Sequence, residues 1–243
     1  MVDLLIKTSK LLLSFLFITN QVYGLNIGSN DEVMSINHYS NLDPAYSAGS
    51  LGLKLGVAYE NIEWNQDPIA NRQVYQSLDR SSGNIEFIKL QLSKGTRWPI
   101  DFSIQASQGL DSDISKVGGQ AQWTILQGFK IPSLAVRAGA MKTFGLRSTE
   151  LSGYHAGVIV DYSAFSYFTL FYSIESQYHH LKVSRKDEPL QLNISQLKDS
   201  KSNYQNSSIG LLIRAWPGVG DLRIAKHSYY DKNRYSFQLS FGI

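Results

Sequence analysis

The stretch Tyr235–Ile243, YSFQLSFGI, decides the fold, because it alternates strictly between two kinds of side chain up to the last residue of the sequence. Large apolar side chains stand at every odd position, and small or polar ones at every even position. A period of two places successive side chains on opposite faces of a β-strand. We therefore predict a two-faced strand that runs to the end of this sequence.

The same alternation recurs along the chain in segments of about ten residues, with turn-rich breaks between them and no convincing helical period. Eight strands would follow if the weak hairpin after Trp216 were absent. Twelve would follow if Val33–Tyr39 or part of the longest loop also paired. The prediction is ten strands: Ser50–Ile62, Ile85–Ser93, Ile100–Gln108, Gly118–Leu126, Ser133–Lys142, Gly153–Tyr162, Tyr167–Gln177, Ser207–Ala215, Asp221–His227 and Tyr235–Ile243.

The composition of the 243 residues supports a β-rich chain and excludes several classes of site. Aromatic residues make up 12% and charged residues only 18%, which suits strands whose two faces differ. The absence of cysteine removes disulfides, thiolate metal sites, a cysteine nucleophile and lipidation at a mature N-terminal cysteine. The formal charge of +3, with no dense basic run, gives no indication of nucleic-acid binding.

Residues 1–24 have the pattern of an export signal. Lys7 and Lys10 precede the apolar core Leu11–Thr19, which is too short to span a bilayer as a mature helix, and a cut after Gly24 has compact residues at the required positions. The alternative is an uncleaved membrane anchor. We predict a cleaved signal peptide and a polar, turn-rich periplasmic lead-in over residues 25–49, followed by a barrel domain over residues 50–243.

The lengths of the connections favour a barrel over a β-sandwich. Short and long breaks alternate, as they do in an up-and-down barrel with turns on one side and loops on the other, whereas a Greek-key sandwich gives no reason for such parity. The short breaks are Gly95–Pro99, Gly128–Pro132, Ser163–Ser166 and Pro217–Gly220; the longest are Glu63–Asn84 and His179–Asn206, with lesser ones at Gly109–Lys116, Thr143–Ser152 and Ser228–Lys232.

Aromatic residues gather near the predicted strand ends, where amphipathic rings favour a membrane–water interface. On the short-turn side we predict four membrane-interface aromatics: Trp98, Tyr162, Phe165 and Trp216.

With these strands in place, residues 50–243 resemble the small bacterial outer-membrane β-barrel proteins. The last strand of those proteins carries aromatics at alternate positions, as Tyr235, Phe237 and Phe241 do here, and is recognised by the barrel-assembly machinery; the usual terminal aromatic is replaced by Ile243. The resemblance implies an all-β, up-and-down antiparallel transmembrane barrel in the bacterial outer membrane, with outer-membrane lipid and the assembly machinery as partners. Because lipid cannot satisfy an open sheet edge, the last strand must pair with the first.

The predicted inward face carries charges of both signs. We favour a network of paired charges that fills a narrow lumen, because an unpaired buried charge is costly. The alternative is a selective path lined by opposed charges. The predicted lumen charge network is Lys54, Lys89, Asp101, Arg137, Asp161, Glu175, Arg214 and Arg223.

No catalytic, cofactor-binding or metal site is predicted. The adjacent His179 and His180 point to opposite faces of a strand, so they cannot share one site, and no third ligand has convincing spacing; His155 is interpreted as a hydrogen-bonded lumen residue.

The leading hypothesis is a non-enzymatic barrel whose long outer loops, 63–84 and 179–206, meet a surface or an extracellular partner whose identity is unknown. A narrow pore for ions or small solutes is the alternative, and a membrane-embedded hydrolase is the third hypothesis.

Overall fold

The structure is a computed structural model, and nearly all of what it describes is β-strand. None of the described residues forms a helix of the length and apolarity needed to cross a membrane. The described residues are 34, 36–39, 42–45, 47–49, 52–63, 84–110, 112–128, 131–146, 149–165, 167–183, 199–216, 220–229 and 232–242.

Ten antiparallel strands form one closed barrel, in which each strand pairs with its neighbours along the chain and β1 pairs with β10. This confirms the predicted ten-stranded, up-and-down architecture. The strands are β1 Leu53–Glu63, β2 Asn84–Gly95, β3 Ile100–Gly109, β4 Ser115–Leu126, β5 Ser133–Phe144, β6 Thr149–Phe165, β7 Phe168–Val183, β8 Ser200–Trp216, β9 Gly220–Tyr229 and β10 Lys232–Gly242.

The barrel is apolar outside and largely polar inside. Leu90 and Ile104 face outward and are 53% and 61% exposed, whereas Lys89 and Gln91, next to Leu90 on β2, face inward and are buried. Burying polar groups while exposing apolar ones is the reverse of what water favours, and it is the distribution expected of a barrel surrounded by lipid.

Three adjacent strands extend past the apolar belt at one end of the barrel. Strands β6, β7 and β8 contain 17, 16 and 17 residues, whereas about 9–11 tilted residues cross a hydrocarbon layer. Beyond Tyr178, the outward side chains of β7 are the polar His180 and Lys182. We call this end, which carries connections 64–83 and 184–199, the long-connection end, and the opposite end the short-turn end.

Strands β5, β6, β9 and β10 extend further towards the long-connection end than the sequence predicted, and this removes the strict alternation of connection lengths. Connection 127–132 at the short-turn end is longer than connection 145–148 at the other end, and 217–219 is longer than 230–231. Only connections 64–83 and 184–199 remain distinctly long.

The described residues between Met34 and Gly49 lie inside the barrel, which differs from the periplasmic lead-in predicted for residues 25–49. Met34 packs at the long-connection end in one apolar cluster with Leu181, while Ala48 contacts Asp101 at the short-turn end. The segment therefore runs the length of the lumen before β1 begins. We call its described residues the plug; the predicted signal peptide, 1–24, lies outside the described residues.

Candidate functional site

The candidate site is the lumen and the plug that fills it. At the long-connection end the plug contributes Met34 and Ile36, both fully buried, to an apolar cluster that we call the cap. The cap joins the plug to the wall at this end of the lumen through apolar contacts and through the Tyr204 hydroxyl, which donates to Met34 Sδ at 3.9 Å. The wall residues of the cap are Ile62, Ile85, Phe87, Ile114, Leu146, Leu151, Leu181 and Tyr204.

Below the cap, wall side chains satisfy the polar groups of the plug. Thr143 Oγ1 donates a hydrogen bond of 2.7 Å to Asn37 Oδ1. The side-chain amide of Gln177 pairs with the backbone of Tyr39, accepting from its N–H at 3.4 Å and donating to its carbonyl at 3.2 Å. A segment without regular structure can be buried only if its backbone groups find such partners.

Tyr39 is one of the largest buried side chains of the plug, and its ring stacks on His155 with the ring centroids 4.0 Å apart. Gly118 makes room for it on β4, because a Cβ there would lie 3.2 Å from Tyr39 Cε2. Gly153 does the same for Asn37, with a Cβ distance of 2.8 Å to Asn37 Nδ2. These inward glycines leave a space in the wall that matches the plug.

Towards the short-turn end the plug presents Asp43 to a group of wall donors. Arg223 Nη1 lies 2.5 Å from Asp43 Oδ1, and Asp43 Oδ2 accepts hydrogen bonds from Gln91 Nε2 at 2.6 Å and Ser93 Oγ at 3.1 Å. Burial alone would raise the pKa of Asp43, but the charges of Arg223 and Lys54 outweigh that effect and lower the pKa. The carboxylate of the plug is therefore held ionised.

Two wall carboxylates anchor the last part of the plug. Asp161 accepts a hydrogen bond of 2.7 Å from Ala45 N–H. Asp101 accepts one from Ser47 Oγ and one from Ala48 N–H, both at 2.8 Å. Hence two members of the predicted charge network bind the plug.

The remaining predicted charges also face the lumen, and three of them, Lys89, Arg137 and Glu175, form ion pairs. Arg137 and Glu175 form a fully buried ion pair, and Glu60 lies 3.7 Å from Lys89 and 3.2 Å from Lys116. Lys54 lines a cavity of about 20 Å³ beside Asp43, which is room for a single water molecule. Arg214 stands half-exposed on the inward side of β8, opposite Asp221 in the register.

Several inward groups were absent from the sequence-based set: Asp43 of the plug, and Glu60, Lys116, Asp221 and Arg234 of the wall. Glu60 and Asp221 already lay on the inward side of predicted strands, and inward periodicity could have found Lys116 and Arg234 once the strand bounds were right.

Three wall histidines face the lumen and one faces outward. His155 contacts Gln120 Oε1 at 3.2 Å, and His227 lies between Ser208 Oγ at 2.6 Å and Ser236 Oγ at 3.1 Å. His179 is buried, whereas its neighbour His180 is on the outer face, as the alternation predicts. In the described part of the chain no three His, Asp or Glu side chains are grouped as metal ligands would be.

The predicted interface aromatics lie towards the short-turn end. Trp98, Tyr162 and Phe165 are exposed on the outside, and Trp216 is the last residue of β8. On β10, the side chains of Tyr235, Phe237 and Phe241 point outward, between β9 and β1. Their roles as membrane-interface residues and as an assembly signal stay predictions.

Comparison with known proteins supports the fold. None of the protein-family models matches the chain, and no curated protein matches it significantly. An outer-membrane channel of the COG4313 group from Pseudomonas putida F1 is similar in structure, with a TM-score of 0.50 and 11% identity over 84% of this chain and 100% of that chain. The resemblance to bacterial outer-membrane β-barrels is thereby confirmed at the level of the fold.

Two further solved structures are similar over most of their length but more distantly. The KdgM porin matches with a TM-score of 0.42 and 9% identity, over 78% of this chain and 99% of that chain. Ail from Yersinia pestis, determined in a phospholipid bilayer nanodisc, matches with a TM-score of 0.36 and 11% identity, over 79% and 99%. The conclusion about the fold rests on the first structure and on the barrel itself.

Proposed function

We propose that this protein is a non-enzymatic, integral barrel of the bacterial outer membrane that its own plug keeps closed, and that its long-connection end meets an external surface or partner. The observation that carries this proposal is the plug, which occupies the lumen from the cap to Asp101. A filled barrel of this kind would face lipid with its outer belt and offer its long connections for contact.

The environment of the lumen histidines supports a non-enzymatic role. A general base must reach both a substrate and an orienting partner. His155 is covered by the Tyr39 ring, and His227 is held between two serine hydroxyls within the wall. Neither imidazole faces a cleft in which a substrate could bind.

The closed state predicts electrical silence. The refolded mature chain, residues 25–243, should insert into a planar bilayer and produce no discrete single-channel steps, because we expect the cap and the Tyr39 ring to block water along the lumen. Heat-modifiable migration on a gel verifies that the barrel has folded. Reproducible current steps from the unmodified protein would contradict the closed barrel.

The orientation can be tested with single cysteines, since the chain contains none of its own. Asp113 and Arg97 are both exposed, the first at the long-connection end and the second in a short turn. On intact cells, a membrane-impermeant maleimide should label Asp113→Cys and leave Arg97→Cys unlabelled until the outer membrane is permeabilised. The opposite pattern would place the long connections in the periplasm and end the surface-contact proposal.

A gated narrow pore is the second candidate function. The observation that favours it is the wall behind the plug, which below the cap carries many Gln, Ser, Thr and charged side chains beside a smaller apolar cluster that contains Ile159 and Phe171. Such a lining suits an aqueous path once the plug has moved.

A further inference from the structure

We infer that the wall beside Asp43 is a binding site for small carboxylate anions, and that the plug fills this site with its own carboxylate. The inference rests on the proposed function, because it assumes that the plug fills the lumen and binds to the wall. The wall groups that form the receptor are Arg223 on β9 and Gln91 and Ser93 on β2.

The geometry is that of a built receptor. Three side chains from two strands on either side of β1 and β10 converge on one carboxylate, and each of them donates. An ionised arginine together with neutral donors is a strong arrangement for a carboxylate, since charge-assisted hydrogen bonds are the short, strong ones. The receptor groups all belong to the wall, so they stay in place when the plug side chain changes.

Asp221 fixes the guanidinium that carries the receptor charge. Arg223 Nε lies 2.7 Å from Asp221 Oδ1, and Nη2 lies 3.1 Å from Asp221 Oδ2. This two-point contact sets the plane of the guanidinium and leaves Nη1 directed at the plug, where it also reaches the Leu42 carbonyl at 3.3 Å. The receptor is therefore preorganised by the wall and not by Asp43.

The charge balance of the lumen favours an anion. Asp43 is the only acidic side chain among the described plug residues. The described strands turn seven cationic and five acidic side chains inward, so the wall alone carries an excess of positive charge: Lys54, Lys89, Lys116, Arg137, Arg214, Arg223 and Arg234 against Glu60, Asp101, Asp161, Glu175 and Asp221.

Chemical rescue tests the site directly. Asp43→Ala in the full mature chain removes the plug carboxylate and leaves the wall donors facing a vacancy of matching size. Added acetate or formate should bind there and raise the midpoint temperature of barrel unfolding, by roughly 2–4 °C at about five times the Kd and in proportion to the logarithm of concentration above that. Acetamide has the same shape as acetate without the charge, and it should not raise the midpoint temperature. Chloride at equal ionic strength should not raise it either.

Two variants make the result specific. Asp43→Ala combined with Arg223→Gln should lose the acetate response, since the cation of the receptor is gone. Asp161→Ala is the matched control, because it removes a carboxylate whose contact with the plug is the Ala45 backbone N–H; acetate should shift its midpoint much less. If Asp43→Ala does not fold unaided, the ratio of refolding yields in acetate and in acetamide replaces the midpoint as the readout.

Equal responses to acetate and acetamide, or an acetate response that survives Arg223→Gln, would overturn the carboxylate site. This failure is separate from failure of the proposed function, which shows as current steps from the unmodified protein. If the native barrel shows no current steps and acetate does not stabilise Asp43→Ala, the plug hypothesis stands and the carboxylate-site hypothesis is wrong.

Discussion

Replacing Arg137 by methionine is expected to lower the free energy of unfolding by about 3–5 kcal/mol, the range for a buried ion pair that loses one partner. The side chains of Arg137 and Glu175 are each only 1% exposed. Arg137 also donates a hydrogen bond of 3.0 Å to Ser173 Oγ. The substitution leaves the Glu175 carboxylate buried without its main countercharge.

The ion pair exists because the residue between its members has no side chain. Arg137 on β5 is opposite Gly157 on β6, which in turn is opposite Glu175 on β7. A Cβ at position 157 would lie 2.5 Å from Glu175 Cγ and 2.4 Å from the carbonyl oxygen of Ile174. The arginine therefore reaches across a whole strand to its partner through space that glycine leaves open.

Chemical denaturation in lipid vesicles measures the effect, with Lys142→Met as the matched control. Lys142 and Glu150 are 4.0 Å apart and 48% and 63% exposed, so their loss should cost less than about 1 kcal/mol. Replacing both Arg137 and Glu175 by methionine should recover most of the stability, because no charge is then left unpaired. A cost for Arg137→Met no larger than that for Lys142→Met would contradict the buried pair.

The strands could be predicted from the sequence because lipid and lumen impose opposite demands on neighbouring residues. On β10, Phe237 faces outward and Gln238 inward, and the same alternation is visible in YSFQLSFGI without any structure. Barrel closure followed from the rule that lipid cannot satisfy an open edge, and β1 does pair with β10.

Charges near the ends of strands were harder to predict. The predicted strands begin at Gly118 and Tyr235, but β4 and β10 each begin three residues earlier. Lys116 and Arg234 therefore fell in connections, although both turn into the lumen and are buried. Hydrogen-bonded pairing between neighbouring strands continues beyond the apolar belt, where the outward side chains are no longer apolar and the sequence pattern no longer indicates a strand.

The plug could not be recognised from local sequence, because a polar lumen accepts a polar, turn-rich segment. Residues 25–49 have the composition of an exposed connection, and that composition is equally suited to a lumen full of hydrogen-bonding side chains. The available signal was indirect. Inward glycines such as Gly118 and Gly153 leave space in the wall that another part of the chain must fill.

Replacing Tyr39 by alanine is expected to open the barrel. The ring is 2% exposed and occupies the middle of the lumen, between His155 on β6 and Gly118 on β4. Removing a buried aromatic side chain typically costs about 3–5 kcal/mol. Here the loss falls on a segment that is joined to the wall by side-chain contacts and not by a strand ladder, so we expect the seating of the plug to weaken before the barrel unfolds.

Single-channel recording of the full mature chain measures this outcome, with Tyr39→Phe as the matched control because it keeps the ring and its stacking on His155. Discrete current steps should appear for Tyr39→Ala and be absent for Tyr39→Phe and the unmodified protein. Joining Ser47→Cys to Asp101→Cys with a short bifunctional thiol reagent should reduce the steps in the Tyr39→Ala background, since these side chains are 2.8 Å apart in the seated plug.

If Tyr39→Ala is folded and inserted but shows no current steps, the cap alone is sufficient to close the lumen. The cap lies above Tyr39 and is built from Met34 and Ile36 against eight wall residues, so it could hold the upper plug while the middle loosens. If current steps persist in the presence of the Ser47–Asp101 link, the movement that opens the barrel lies between the cap and Tyr39, on the far side of Asp43 from the link. Suppression by the link would show instead that the plug leaves from the short-turn end, where Arg223 holds Asp43.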